Sequence, residues 1–326
     1  MSRKHAYPHG ENGIVRLLES RYPAGAGVER GIGDDAAVLG PEPEGEYRLV
    51  TTDMLVEQID FRREWAPARK LGRKAVSVNL SDIAAMGARP LGLVMAYTLP
   101  RDMPFTRLES ISQGVNDCCQ AVGADLLGGD TKEGTGIVLA GTALGLVDKD
   151  RILLRRGARE GDMIAVTGPL GLSAAGYAAI RNDIDAPLAV KALLEPQPRT
   201  AEGMVLSSSG KVTSCMDITD GLAYSIGELS RQSGTGFEVV WESIPVGDGV
   251  AEVARKSGVP LEDLVLHFGG DYELLFTFSP QASQPLQNAL GGRMHIIGQV
   301  KGRENQLIVG EKATPLDTRG YEHFRR

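Results

Sequence analysis

The sequence predicts an α+β (α/β) protein of two domains, and three observations carry that prediction. The chain has 326 residues, more than the roughly 100–200 of one ordinary domain. Short apolar, β-branched segments are interspersed with amphipathic helical segments in both halves. A charged stretch, VDKDRILLRRGAREGD, separates the halves and sets the expected boundary near residue 150, giving domains 1–150 and 151–326. The composition is that of a globular protein, with 42% hydrophobic and 24% charged residues. That excludes disordered and collagen-like classes. The longest apolar runs, Gly92–Leu99 and Ile137–Val147, fall short of the ~18–20 residues of a membrane span. The opening MSRKHAYPHGENG lacks the apolar core of a signal peptide, so no membrane association is expected. Three cysteines cannot build a disulfide framework or a four-cysteine zinc site, which points to the reducing cytoplasm. A net charge of −7 argues against nucleic acid as a partner.

In chain order, Ile14, Leu17 and Leu18 recur at helical spacing and predict a short helix over Asn12–Tyr22. GIGDDAAVLG (31–40) frames two aspartates with glycines ahead of a short strand. A Pro/Glu/Gly turn (40–46) leads into the β-branched strand YRLVTTDMLV, with Asp53 expected at the strand's end. Residues 68–87 read as one long helix, Pro90–Leu99 as a strand, and Pro104–Val122 as a helix opened by proline. Strands ADLLGG (124–129) and GIVLAGTALGLV (136–147) complete the first half. The second half opens with strand DMIAVTG, a glycine loop and helix 172–180. A helix after the Pro196–Pro198 loop, strand VTSCMDI and helix 221–233 follow. FEVVWESI, YELLFTF, HIIGQV and QLIVG read as further strands.

The chemistry is signalled by aspartates set in apolar or glycine-rich surroundings: Asp34, Asp35, Asp53, Asp82, Asp130, Asp217 and Asp220. An ionised carboxylate in such a place is costly unless it is paired or holds a metal. At 100° per residue, Leu71, Ala75, Val78 and Asp82 share one stripe of the long helix, so the carboxylate points where the packed face points. An oxygen-only set favours a hard cation, and without EF-hand spacing Mg²⁺ is preferred, with the Thr51 and Thr52 hydroxyls as further donors. Five scattered histidines offer no zinc spacing. Glycines beside acid in GGDTKEG can cradle phosphates, whereas no GxxxxGK[ST] loop is present. VTGPLGLSAAG lacks the full GxGxxG of a dinucleotide site, which leaves a Rossmann-type oxidoreductase a weak alternative.

These blocks together, GIGDDAAV, TTDMLVEQIDF, KAVSVNLSDIAAMGARP, LLGGDT, GDMIAVTGPLGLSAAG, MDITDGL, GGDYELLFT and GYEHF, resemble the thiamine-monophosphate kinase family in order from about residue 31 to the end. That family lies in the aminoimidazole-ribonucleotide synthetase superfamily. The resemblance implies an N-terminal domain forming a β-barrel in a homodimer and a C-terminal α+β sandwich. It implies ATP as co-substrate, several Mg²⁺ ions, and direct in-line phosphorylation of thiamine monophosphate to thiamine diphosphate. By the same resemblance Asp34, Thr51, Thr52, Asp53, Asp82, Asp130, Asp217 and Asp220 match metal positions. Gly129, Asp130, Arg151 and Thr219 match nucleotide contacts, and Tyr321 an aromatic beside the acceptor's rings. Two acceptor positions depart from the family pattern. Asp60 stands where a histidine is usual, and FGGDYELLF lacks the glutamate of GGEDYEL, leaving Asp271 as a candidate replacement. These departures keep open a superfamily enzyme acting on another small acceptor. A nucleotide-binding protein without turnover is the remaining alternative.

Overall fold

The computed structural model describes residues 10–21, 25, 27–41 and 45–324. The end of the first expected helix and part of the 40–46 turn lie outside them. Among the described residues the chain runs α1 (Gly10–Arg21), β1 (Val28–Arg30), β2 (Ala37–Leu39), β3 (Glu46–Val56), α2 (Ala68–Ala85), β4 (Arg89–Leu99), α3 (Phe105–Val122), β5 (Asp125–Glu133) and β6 (Val138–Asp148). The strands form one six-stranded sheet in the order β1-β2-β3-β6-β4-β5, in which only the edge pair β4/β5 is parallel.

The second half runs β7 (Met163–Val166), α4 (Leu172–Arg181), α5 (Pro187–Leu194), α6 (Thr200–Ser209), β8 (Val212–Asp217), α7 (Leu222–Ser233), β9 (Phe237–Val240), α8 (Val250–Ser257), β10 (Leu274–Phe278), α9 (Ser283–Ala289), β11 (His295–Val300), β12 (Gln306–Val309) and β13 (Lys312–Pro315). Its seven-stranded sheet has the order β13-β12-β9-β11-β7-β10-β8. Mixed sheets with helices in each half make this the α+β architecture expected. The expected strands and helices recur, with α5, α8, α9, β1 and β13 added in segments whose periodicity is too short to stand out.

Helix α2 is the hinge of the architecture. Leu71, Ala75, Val76, Val78, Leu80 and Ile83 are all buried, because the helix is packed on several sides at once. On one side Gly72 and Gly114 let α2 and α3 cross closely: a Cβ on Gly72 would lie 2.0 Å from the Ile111 carbonyl oxygen. On another, Ala84 and Ala85 share an apolar cluster with Leu206, Cys215 and Phe276 of the second half. Helix α3 ends at Gly123, whose φ of +71° takes the left-handed cap conformation. The end of α2 therefore lies against the second sheet, with Asp82 in its last turn.

Three placements differ from the sequence reading. Asp53 lies three residues inside β3 rather than at its end, since pairing with β6 continues through Val56↔Val138. Asp130 lies within β5, every residue of which is exposed. Strand β10 begins at Leu274, because Tyr272 has a φ of +54° that no strand accommodates.

Candidate metal and phosphate site

The site gathers where α2, the segment before β2, and the end of β8 meet. Asp35, Asp82 and Asp217 each offer a carboxylate oxygen within 4.8 Å of the others. Asp35 sits in the glycine-framed turn, Asp82 on the packed stripe of α2 and Asp217 on the last residue of β8. The triad thus bridges both sheets. Hydroxyls from the first half tie it together. The Thr51 Oγ1 donates to Asp82 at 2.5 Å, and the Ser81 hydroxyl donates to Asp217 across the domain junction. Asn79 fixes β3 on α2 by accepting from the Asp53 N–H at 2.9 Å, which holds Asp53 near the cluster.

Charge around the triad is unbalanced. Arg155 donates from Nε and Nη2 to one Asp35 oxygen at 3.1 and 2.6 Å, while the other Asp35 oxygen has no hydrogen-bond partner. The Arg155 backbone N–H also reaches Asp34 at 3.4 Å. Burial pushes Asp217 up to about 7, with Asp35 adding repulsion, and burial with the Glu11 charge carries Asp220 to about 7. Asp34 rises to about 6 through burial and the Asp35 charge. Asp82 is driven well above the ordinary carboxylate range by burial and then by Asp217 and Asp35. A set of acids that cannot all ionise together without a counter-charge fits a hard, multiply charged cation.

The sign of the pH effect follows from the raised values. Between the ordinary value of 3.8 and about 7, the folded protein retains protons on Asp217 and Asp220 that the unfolded chain releases. Stability of the metal-free protein therefore falls as pH rises through that window. Melting without divalent cations should occur at a higher temperature near pH 5.5 than near pH 8, and Mg²⁺ should raise the pH 8 value more. Equal melting temperatures at both pH values would contradict this electrostatic reading.

The remaining expected residues divide by place. Thr51 and Asp53 share the α2-facing side of β3, as two-residue alternation requires, whereas Thr52 points to the opposite face and donates to the Gly141 carbonyl at 2.6 Å. Asp130 stands apart on β5 with its carboxylate 3.5 Å from Lys132. Gly129 lies beside it, where a Cβ would meet the Met95 carbonyl oxygen at 1.9 Å. Arg151 is exposed in the connection between the sheets, its carbonyl accepting from Ser207. The Thr219 carbonyl accepts from the Gly270 N–H at 2.7 Å, lacing the 269–273 loop to the segment after β8. Asp271 accepts the N–H groups of Gly171 and Ser173 at the start of α4. Glu273 is paired with Arg199 and Thr167. Asp60 accepts the Val56 N–H at 2.7 Å, closing the turn after β3. The Tyr321 N–H donates to the Asp220 carbonyl at 2.9 Å, and its ring is exposed.

Residues not anticipated from the sequence complete the site. Arg155 lies in a stretch that reads only as a charged linker. Lys74 sits on α2 two turns before Asp82, with the Asp53 and Asp60 charges opposing the fall in pKa that burial causes. At 100° per residue Lys74 falls outside the stripe that carries Asp82, so the helical phase alone does not find it. Tyr272 is held in its left-handed conformation by its N–H bond to the Ile218 carbonyl at 3.0 Å. Its phenol is pushed upward by burial and by Asp53, Asp217, Asp60 and Asp220.

Residues 33–147 match the family model for the N-terminal domain of AIR synthase related proteins, and residues 159–310 the model for the C-terminal domain. The thiamine-monophosphate kinase of Synechococcus elongatus is 35% identical, with 99% of each chain covered. That of Escherichia coli K12 is 37% identical over 95% of this chain and 97% of its own. A solved structure named AaThiL complexed with AMPPCP and TMP superposes with a TM-score of 0.86 at 28% identity, covering 99% of each chain.

Proposed function

The chain belongs to the thiamine-monophosphate kinase family, within the AIR synthase related proteins, and from that membership we propose that it transfers the terminal phosphoryl group of ATP to thiamine monophosphate. The products are ADP and thiamine diphosphate. The single observation that carries the reading is the Asp35, Asp82 and Asp217 triad, whose oxygens converge within 4.8 Å between the two sheets.

Asp35, Asp82 and Asp217, with Asp34, Thr51, Asp53 and Asp220 around them, would form the donor set for Mg²⁺, which when bound would neutralise the phosphates of ATP. The protein's own task is placement. Phosphoryl transfer needs little covalent help, because the attacking oxygen of the acceptor phosphate is already anionic near neutral pH. That oxygen forms a bond to the γ-phosphorus of ATP while the bond to the β,γ-bridging oxygen breaks. Holding the two phosphates in line is worth more than supplying a base. Lys74 brings an ammonium toward the Asp53 and Asp60 side of the cleft, where an acceptor phosphate needs a positive partner. Ser81, Thr51 and Asn79 keep the carboxylates oriented.

Gly129, Asp130, Arg151 and Thr219 are proposed nucleotide contacts, and a homodimer accounts for the two that stand apart. Strand β5 is an exposed edge, and Met54, Val94, Leu126 and Leu127 lie exposed on this sheet. A second copy covering that face, as in the barrel implied by the family, would bring Asp130, Gly129 and Thr52 against a neighbouring site. A cytoplasmic location is consistent with three free, buried cysteines; among the described residues no helix is long and apolar enough to cross a membrane.

Chromatography of the reaction with ATP, Mg²⁺ and thiamine monophosphate tests the proposal. Thiamine diphosphate and ADP should form in equal amounts, and omission of Mg²⁺ should stop both. ADP and inorganic phosphate without thiamine diphosphate would reject this acceptor. That result would turn attention to Asp60 and to the missing glutamate before Asp271.

A further inference from the structure

A cavity of about 500 Å³ opens at the end of the second sheet away from the triad. Three segments meet there: residues 157–159 after the connection between the sheets, the 210–211 turn between α6 and β8, and residues 279–282 after β10. Val212 and Thr213 at the start of β8 complete the lining, whereas Asp217 ends the same strand. Five residue steps separate Val212 from Asp217, roughly 16 Å of extended chain. Strand β10 runs antiparallel beside β8, pairing Phe278 with Val212 at the cavity and Leu274 with Asp217 at the triad.

The lining carries positive charge on fixed backbone. Arg159 and Lys211 are exposed, and neither forms an ion pair among the described residues. The Ser279 hydroxyl and the Gln281 amide have no hydrogen-bond partner among those residues either. One acid, Asp162, touches the lining, but it is buried, and one of its oxygens already accepts the Arg159 N–H at 2.9 Å and the Thr213 hydroxyl at 2.6 Å. That hydroxyl lies 2.7 Å from Thr277, and Thr277 lies 2.7 Å from Ser214, so Asp162 heads a chain of hydroxyls within the sheet. The segment bearing Arg159 is pinned: a Cβ on Gly157 would meet the Thr213 carbonyl oxygen at 2.3 Å, and the Gly157 and Ala158 N–H groups donate to Ser233 at 3.1 Å. The Lys211 N–H donates to the Ser209 hydroxyl at 3.1 Å, which fixes the second cation's backbone. Positioned cations lose little freedom when they bind an anion. No aromatic ring lines the cavity, so a ligand is held there by its charged groups and not by stacking.

We propose that this cavity is a second anion site that binds the diphosphate group of a small metabolite, with Arg159 and Lys211 as counter-charges and Ser279 and Gln281 as hydrogen-bond donors. A planar guanidinium fork and a compact ammonium suit two adjacent phosphates, which accept charge-assisted hydrogen bonds from both. ADP and thiamine diphosphate, the products of the reaction proposed above, each carry that group, and so does free diphosphate. The binding itself does not depend on that reaction.

Titration calorimetry with inorganic diphosphate in EDTA tests the site, because the acids of the metal-free triad repel anions. The parent should bind saturably, and more weakly as salt is raised. Arg159→Ala combined with Lys211→Ala should weaken binding at least about tenfold, whereas Asp217→Asn should leave it within about twofold. The double variant should keep the parental melting temperature and kcat, since both side chains are exposed and far from the triad. The same titrations with ADP and with thiamine diphosphate identify the source. A tenfold loss in the double variant for one of them names that metabolite; a loss confined to inorganic diphosphate names the free ion. No saturable binding by the parent overturns the site, as does parental affinity in the double variant. Binding lost in Asp217→Asn but kept in the double variant places the anion at the triad and overturns it too. Protein that binds diphosphate through Arg159 and Lys211 yet forms no thiamine diphosphate keeps this site and loses the kinase.

Discussion

Replacing Asp82 with asparagine is expected to cut kcat by at least about 10²–10³-fold, the range found when one preorganised electrostatic group is removed from a transition state. The same variant should melt no lower than the parent when Mg²⁺ is absent, and higher near pH 8. The physical reason is that Asp82 sits where its surroundings oppose ionisation. Burial, Asp217 and Asp35 all raise its pKa, while the hydrogen bond from the Thr51 hydroxyl favours the charged form. Asparagine keeps an oxygen to accept from Thr51 and removes a charge that costs the metal-free fold free energy. Lost turnover with retained or improved stability is the signature of a group kept for function. Thermal melts and steady-state rates on the same preparation check it. Turnover like that of the parent would remove the triad from the reaction.

Arg155→Met carries the opposite signature. Arg155 contributes both side-chain bonds to Asp35, its Nη1 lies 4.0 Å from Glu228, and its backbone N–H reaches Asp34. Its side chain is 20% exposed and the Asp35 side chain fully buried. Methionine fills similar space but leaves Asp35 uncompensated beside Asp34, Asp82 and Asp217. Breaking such a pair from one side costs about 3–5 kcal/mol. For a chain of this size that corresponds to a fall in melting temperature on the order of 10 °C at pH 8. The fall should shrink near pH 5.5, where protonation of the acids relieves the unpaired charge, and in Mg²⁺. Because Arg155 joins the first half to α7 of the second, the loss should also loosen the domain junction. An unchanged melting temperature at pH 8 would mean that Asp35 is neutral in the fold and needs no partner.

Much of the fold was legible because local physics set it. The stripe of Leu71, Ala75 and Val78 predicts both the buried face of α2 and the inward direction of Asp82, and the structure keeps that stripe buried. Pro104 and Gly123 bracket α3 as their backbone preferences require. What the sequence hid depends on partners distant in the chain. Asp53 reads as a strand end because polar residues follow apolar ones, yet pairing with β6 carries the strand three residues further. Asp271 reads as an acceptor residue because of its motif, and nothing local shows that its two oxygens also accept the N–H groups of Gly171 and Ser173 at the start of α4. Arg155 carries no local signal, since its partners Asp35 and Glu228 lie 120 residues before and 73 after it.

The triad, as the seat of phosphoryl transfer, is tested most directly by ³¹P NMR of the parent and Asp217→Asn side by side, each with ATP, Mg²⁺ and thiamine monophosphate. Asp217, the last residue of β8, is joined to α2 through Ser81 and stands three residues before Asp220, so its substitution reports on both halves of the site. In the parent, the thiamine monophosphate resonance should give way to the coupled pair of thiamine diphosphate in step with the appearance of ADP. In the variant the starting resonances should persist. Thiamine diphosphate formed by Asp217→Asn at the parental rate would contradict the account.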